Sequence, residues 1–280
     1  MLEPVLDWNT LHAGDTFPAA SCLLDDAFVD AYLAATGETH PVYTQGHVPP
    51  LCLSLVRFTK ASLGGRWPSG TLQLSQTYQS LSMLRRNQRV RLGLKIASIE
   101  QRDGKLYFEM LTRVRDEQDT IVAEMRSRQL WASPVGAGSS PAPGAPAKPR
   151  AVAPALPESL IGPLTGQFPM LRVKAYGDVA GARDPVHLDP AFAKTTPLGV
   201  NIVQGKLVAT LISRLMLDHF GLPWLERGWL DLRFRRPVLI GESIQARASP
   251  EPGDSGPRYS VWCTDPRGER VIAGSAGLQA

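Results

Sequence analysis

Cysteine is scarce in this chain, with Cys22, Cys52 and Cys263 the only three in 280 residues, scattered and odd in number. Such a set excludes a disulfide-stapled scaffold and fits a reducing compartment. No apolar run approaches the roughly 20 residues that a membrane helix needs. Met1 to Asp7 shows no basic stretch leading into an apolar core, so no secretory signal is expected. Neither sign of charge dominates: 30 Lys and Arg stand against 26 Asp and Glu, a net +4. Up to Ser133 the count is 14 basic to 14 acidic, and from Glu158 onward it is 14 to 12, with Lys148 and Arg150 between. No segment is basic enough to point to nucleic acid. His12, His40, His47 and His219 are spread without metal-ligand spacing, and no phosphate-binding glycine loop is present. The expectation is a cytoplasmic protein with no metal or other cofactor and no membrane segment.

What is present is a division into two. Pro134 to Pro157 is built mostly of Pro, Ala, Gly and Ser, too poor in apolar surface to order itself, and reads as a flexible linker. It separates residues 1–133 from residues 158–280. The two segments resemble each other. Ala31-Tyr32, Gly37 and Pro41-Val42-Tyr43 recur in register as Ala175-Tyr176, Gly181 and Pro185-Val186-His187. Each block precedes a helix candidate. Leu51, Leu55, Val56 and Phe58 form one apolar face after Pro49-Pro50, predicting a long helix over about Leu51–Leu63. Leu207, Leu211, Ile212 and Leu215 form the other, predicting a helix over about Gly205–Leu217.

Strand-like alternation follows each. Val90, Leu92, Leu94 and Ile96 alternate with Arg91, Gly93 and Lys95, and Leu230, Leu232 and Phe234 with Asp231, Arg233 and Arg235. Lys105–Arg115, Ile121–Trp131, Arg258–Thr264 and Arg270–Leu278 read as further strands. Periodicity alone thus predicts an α+β protein with a duplicated unit. Gly253-Asp254-Ser255-Gly256-Pro257 resembles a protease nucleophile loop, but between two strands it reads as a hairpin turn.

The run Tyr176-Gly177-Asp178-Val179-Ala180-Gly181-Ala182-Arg183-Asp184-Pro185-Val186-His187-Leu188-Asp189-Pro190 resembles the signature of the MaoC-like (R)-specific enoyl-thioester hydratases. Gly181, Pro185, Val186 and His187 match that signature. The family's catalytic Asp, five residues before its His, is Ala182 here, and its Asn is Asp184. Arg233-Phe234-Arg235-Arg236-Pro237-Val238-Leu239-Ile240-Gly241-Glu242 is similar to the same family's strand-and-turn. The resemblance implies a double hotdog, two fused units each with an antiparallel sheet wrapped round a central helix. It further implies an acyl-chain-binding, non-catalytic N-terminal half and hydration or dehydration of an acyl-CoA or acyl-carrier thioester. A monomeric pseudo-dimer or a homodimer would carry it.

By the same resemblance His187 is the acid/base residue. Gly205 and Gln204, in Ile202-Val203-Gln204-Gly205-Lys206-Leu207, hold the thioester carbonyl at a helix N-terminus, where free N–H groups and a missing Cβ suit an oxyanion. Lys206 departs from the family's apolar residue, and the sequence offers no account of it. Ala182 cannot accept a proton or orient water. Three carboxylates are candidates for its place: Asp184, Asp189 and, from the other half, Glu38. Tyr176 reads as a packing residue. Arg233, Arg235 and Arg236 form a basic stripe, either a solvated strand face or contacts for CoA or carrier phosphates. Two further readings stay open. One is a non-catalytic acyl-thioester binder or scaffold. The other is a hotdog thioesterase, which needs a carboxylate on or near the central helix; Val203 to Leu217 contains none.

Overall fold

A computed structural model describes residues 10–65, 67, 71–132, 160–196, 198–252 and 256–280. The expected linker over Pro134–Pro157 lies outside them. Ten strands form one sheet in the order β1-β3-β4-β5-β2-β7-β10-β9-β8-β6, with every neighbouring pair antiparallel. In chain order they are β1 Thr16–Leu23, β2 Thr71–Ser80, β3 Arg89–Arg102, β4 Lys105–Arg115, β5 Ile121–Ala132, β6 Ile161–Gln167, β7 Gly228–Phe234, β8 Ser243–Pro250, β9 Arg258–Thr264 and β10 Arg270–Leu278. The first five fill one side of the sheet and the last five the other. Read from either outer edge inward, the order is the same: β1-β3-β4-β5-β2 corresponds to β6-β8-β9-β10-β7. The two sides join where β2 pairs with β7, from Ser75 opposite Arg233 to Gln79 opposite Trp229.

The alternation read in the sequence sets which face is inward. On β3, Val90, Leu92, Leu94 and Ile96 are buried while Arg89, Arg91 and Lys95 are exposed, as a pleated strand with one wet face requires. The hairpin turn expected over Gly253–Pro257 falls partly outside the described residues, but β8 and β9 on either side of it are antiparallel neighbours.

The helices follow the repeat as well. They are α1 Asp26–Thr36, α2 Val56–Ser62, α3 Met170–Ala180, α4 Pro185–Leu188, α5 Pro190–Thr195, α6 Gly205–Phe220 and α7 Leu222–Arg227. Asp25 starts α1 by accepting from Phe28 N at 2.8 Å. Gly37 ends α1 and Gly181 ends α3, both with left-handed backbone (φ 71° and 68°) that a Cβ would strain. The aligned tyrosines of the two repeats meet, with Tyr32 and Tyr176 rings 6.5 Å apart between centroids.

The central helices are not alike. Helix α6 is buried from Leu207 through Ser213, on every face, inside the curve made by β6, β8, β9 and β10. The long helix expected over Leu51–Leu63 is instead broken. Pro50–Ser54 is a 3-10 turn, Leu55 is extended (φ −66°, ψ 140°), and α2 supplies only seven residues. Leu51, Leu55 and Phe58 are buried as their spacing predicts, but the N-terminal sheet encloses less helix and more open space. No helix among the described residues is long and apolar enough to cross a membrane.

Candidate active site

The space left by the broken helix is continuous with the motif loop. One cavity of about 420 Å³ is lined from both halves. Leu55, Leu92 and Met125 form part of its wall on one side, and Ala182, Asp184, His187, Gln204, Gly205 and Lys206 part of the other.

The motif loop is built in short steps. After Gly181 the chain turns with Ala182 N donating to Gly177 O at 2.9 Å. Pro185 opens α4, its fixed φ suited to the first helical position. His187 is half-buried at the end of this turn. Its Nδ1 lies 2.9 Å from Ile202 O. A carbonyl only accepts, so Nδ1 carries the proton and Nε2 keeps its lone pair. Burial lowers the His187 pKa below its usual value, against opposing effects of the Ile202 hydrogen bond and the Asp184 charge. His187 is therefore a neutral imidazole at neutral pH, the form a general base needs.

The three candidate carboxylates separate. Asp184 lines the same cavity as His187 and acts on it through charge; its side chain makes no capping bond to α4. Asp189 is engaged elsewhere, accepting from Ala191 N at 2.8 Å and Phe192 N at 3.2 Å to cap α5. Glu38 does not meet the motif loop. It is buried beside Arg214 of α6, whose Nη1 donates to Gly37 O at 3.4 Å. Arg214 is nine residues past Gly205, so about 13 Å along the helix axis. The repeat aligns Glu38 with Ala182 in sequence, but the fold sets it beside Arg214 and Asp218. Burial raises the Glu38 pKa to about 8, with Arg214 lowering it and Asp218 raising it. Both Asp218 and Glu38 lie near the far end of α6 and outside the cavity lining, so neither supplies the thioesterase carboxylate there.

Gln204 is 4 % exposed at the α6 N-cap. Its Nε2 donates to Val173 O at 3.1 Å and Ala182 O at 3.3 Å, and its Oε1 is buried with no partner among the described residues. The N–H groups of Gly205 and Lys206 make no hydrogen bond to other described residues, as expected for the first turn of a helix. Glycine is required at 205 by packing: a Cβ there would stand 2.9 Å from Phe234 Cδ1. The ring of Phe234 thus packs against the helix start, and Gly205 and Lys206 both line the cavity.

The arginine stripe divides. Arg233 is exposed on β7, pairs with Asp231 at 2.5 Å and does not line the cavity. Arg235 and Arg236 stand at the mouth beyond the end of β7, Arg236 in an ion pair with Glu269. Tyr176 is buried in the core and also touches the cavity wall. Two features escaped the sequence. Lys206 Nζ reaches Ser54 O, and β2 and β5 turn Gln73, Gln76, Ser127 and Gln129 inward. The signal was polar residues where β2 should alternate with apolar ones, legible only once strand register is known.

A family model described as MaoC like domain matches residues 169–256. A 3-hydroxybutyryl-CoA dehydratase of Methylorubrum extorquens is 30% identical over 109 residues, covering 38% of this chain and 68% of that protein. An (R)-specific enoyl-CoA hydratase of Aeromonas caviae is 36% identical over 86 residues, 30% of this chain and 62% of that protein. Among solved structures, a MaoC-like dehydratase superimposes with TM-score 0.77 at 13% identity, covering 96% of this chain and 98% of its own. A MaoC-like dehydratase from Phytophthora capsici gives 0.72 at 19%, with 96% of each chain covered. A Mycobacterium tuberculosis protein described as having a double hotdog fold gives 0.61 at 13%, covering 97% of this chain and 98% of its own. At these identities the structural likenesses speak to fold: this chain is a double hotdog.

Proposed function

The chain belongs to the MaoC-like dehydratase family, and from that premise we propose that it reversibly hydrates a 2-enoyl thioester to a 3-hydroxyacyl thioester. The observation that carries this reading is His187, pinned through Nδ1 to Ile202 O with Nε2 unprotonated, in one cavity with the open N-terminus of α6. In the hydration direction His187 Nε2 takes a proton from water as the water oxygen bonds to Cβ. Charge moves to the thioester oxygen, where the free N–H groups of Gly205 and Lys206 and the helix dipole stabilise it. The imidazolium then returns its proton to Cα. Asp184 supports the imidazolium by charge. Gln204 holds the loop at Ala182 and offers Oε1 to the substrate or its water.

The N-terminal half, residues 1–133, would receive the acyl group, and residues 158–280 would carry the chemistry. Arg235 and Arg236 at the cavity mouth would meet the phosphates of CoA or of a carrier protein. Ala182 favours a second reading, an acyl-thioester binder without turnover, because a methyl group replaces an acid/base carboxylate worth typically 10²–10⁴-fold.

Hydration of crotonyl-CoA and of a long-chain 2-enoyl-CoA, with His187→Ala beside the wild type, tests the proposal. Turnover by the wild type and its loss in the variant are expected. Turnover unaffected by His187→Ala overturns the catalytic reading. Thermal stabilisation by acyl-CoA without turnover would favour the binder.

A further inference from the structure

The cavity wall from the N-terminal half is not purely apolar. Gln73 stands opposite Gln129, and Gln76 opposite Ser127, on the inward faces of β2 and β5. Gln76 and Gln129 are each 4 % exposed. Gln73 Nε2 donates to Gln76 Oε1 at 2.9 Å, and Gln129 Nε2 to Ser127 Oγ at 2.5 Å. Gln76 Nε2 donates to Thr77 O at 2.7 Å, so the amides of Gln76 and Gln129 each keep one hydrogen beyond their bonds to described residues. Lys206 enters the same cavity from α6. Its Nζ donates to Ser54 O at 2.5 Å, and it forms no ion pair with a described carboxylate. The 3-10 turn that carries Ser54 packs on both α6 and β2, so the ammonium and the polar strand face belong to one region.

A half-buried ammonium that lines a cavity without a counter-charge is costly, and burial pulls its pKa down to about 8. A plain alkyl chain filling this space would strip water from Lys206 Nζ and from the amide N–H groups and accept no hydrogen bond in return. A carboxylate would accept a charge-assisted bond from Nζ. The lysine stem is only four carbons long and starts beside Gly205, so that carboxylate would lie a few carbons beyond the thioester. We infer that the acyl group received here ends in a carboxylate paired with Lys206, so that the substrate is a thioester of a short dicarboxylic acid. This specificity rests on the thioester-hydration reading above.

The test compares crotonyl-CoA and 2-hexenoyl-CoA with fumaryl-CoA and 2-hexenedioyl-CoA, their counterparts ending in a carboxylate. Binding of butyryl-CoA, hexanoyl-CoA, succinyl-CoA and adipyl-CoA is measured in parallel by calorimetry. The better-fitting carboxylate substrate should exceed its alkyl counterpart in kcat/KM by about 10²-fold or more. Lys206→Gln keeps a donor for Ser54 O but removes the charge, and should collapse that ratio to within about tenfold. Wild-type preference for the alkyl substrates overturns the inference. So does a Lys206→Gln variant that loses both substrates equally, since the lysine would then act on the thioester or the fold. Should that variant fail to fold, the wild-type preference alone decides. If no thioester is hydrated but a dicarboxylic monothioester binds more tightly than its alkyl counterpart, the hydratase reading falls and the carboxylate site stands. If none of the saturated thioesters binds, both fall.

Discussion

Lys206 Nζ donates a 2.5 Å hydrogen bond to Ser54 O, across 152 residues of sequence. In an unbroken α-helix Ser54 O would accept from Phe58 N. Instead Phe58 N donates to Leu55 O at 3.2 Å, and the lysine of the C-terminal half takes the vacated carbonyl. The two central helices of the duplicated fold thus differ through one another. One stays whole, and its lysine holds open the break in the other, beside the cavity that the break creates.

Lys206 leaves a mark on stability. Its folded pKa of about 8 lies below the ordinary lysine value of 10.5 because burial disfavours the charged form. Between those values the unfolded chain binds more protons, so stability should rise with pH from about 8 to 10.5. The contribution is a few kcal/mol at most, about 1.4 kcal/mol per unit. Urea unfolding across this range should show a rise in wild type that Lys206→Met lacks. Equal slopes in the two proteins would contradict a desolvated Lys206 ammonium.

Glu38 has the opposite sign. Burial raises its pKa from 4.5 to about 8, so the folded chain binds the extra proton between those values. Its stabilising proton is fully held below pH 4.5 and is lost as pH rises through about 8. Glu38→Gln should remove this loss and unfold later than wild type above pH 8, by up to a few kcal/mol. Because Glu38 lies outside the cavity lining, hydration should be retained. An activity loss with normal folding would place Glu38 in the chemistry after all.

The pH profile of hydration reports on His187. Neutral His187 is the base, so kcat/KM should fall as pH drops through a pKa below 6.5. Removing the nearby charge in Asp184→Asn should move that limb to lower pH. Adding one in Ala182→Asp should move it to higher pH and raise the rate by about 10²-fold. An unmoved limb in both variants would mean that neither position senses the imidazole.

Gly205 and Phe234 form a packing pair that positions the helix start. In Gly205→Ala the new Cβ meets the ring at 2.9 Å, an overpacking that should cost about 1–3 kcal/mol and lower turnover by displacing the first N–H groups. Phe234→Leu in the same chain should recover much of the stability. Thermal unfolding of the single and double variants measures the coupling, and strict additivity would argue against the contact.

Local chemistry in the sequence determined strands such as β3 and β7, because alternation such as Val90, Leu92, Leu94 and Ile96 has one solution on a half-wet sheet, but left β1, β2, β6 and β8 unread. It determined α6, whose apolar residues recur at helical spacing, and the duplication, visible in the matched Ala-Tyr, Gly and Pro-Val positions. Resemblance to a family motif, not local chemistry, singled out His187, since a lone histidine carries no such signal by itself. Tertiary structure decided the rest. Apolar spacing over Leu51–Leu63 could not reveal a break stabilised by a lysine 152 residues away. Nor could it tell which of Asp184, Asp189 and Glu38 shares a cavity with His187, because that depends on loop path and on how the two halves pack together. The inward turn of Gln73, Gln76 and Gln129 depends on register and on the irregularity between Gln73 and Ser75. A one-residue slip exchanges the two faces of a strand, and only the paired sheet sets the slip.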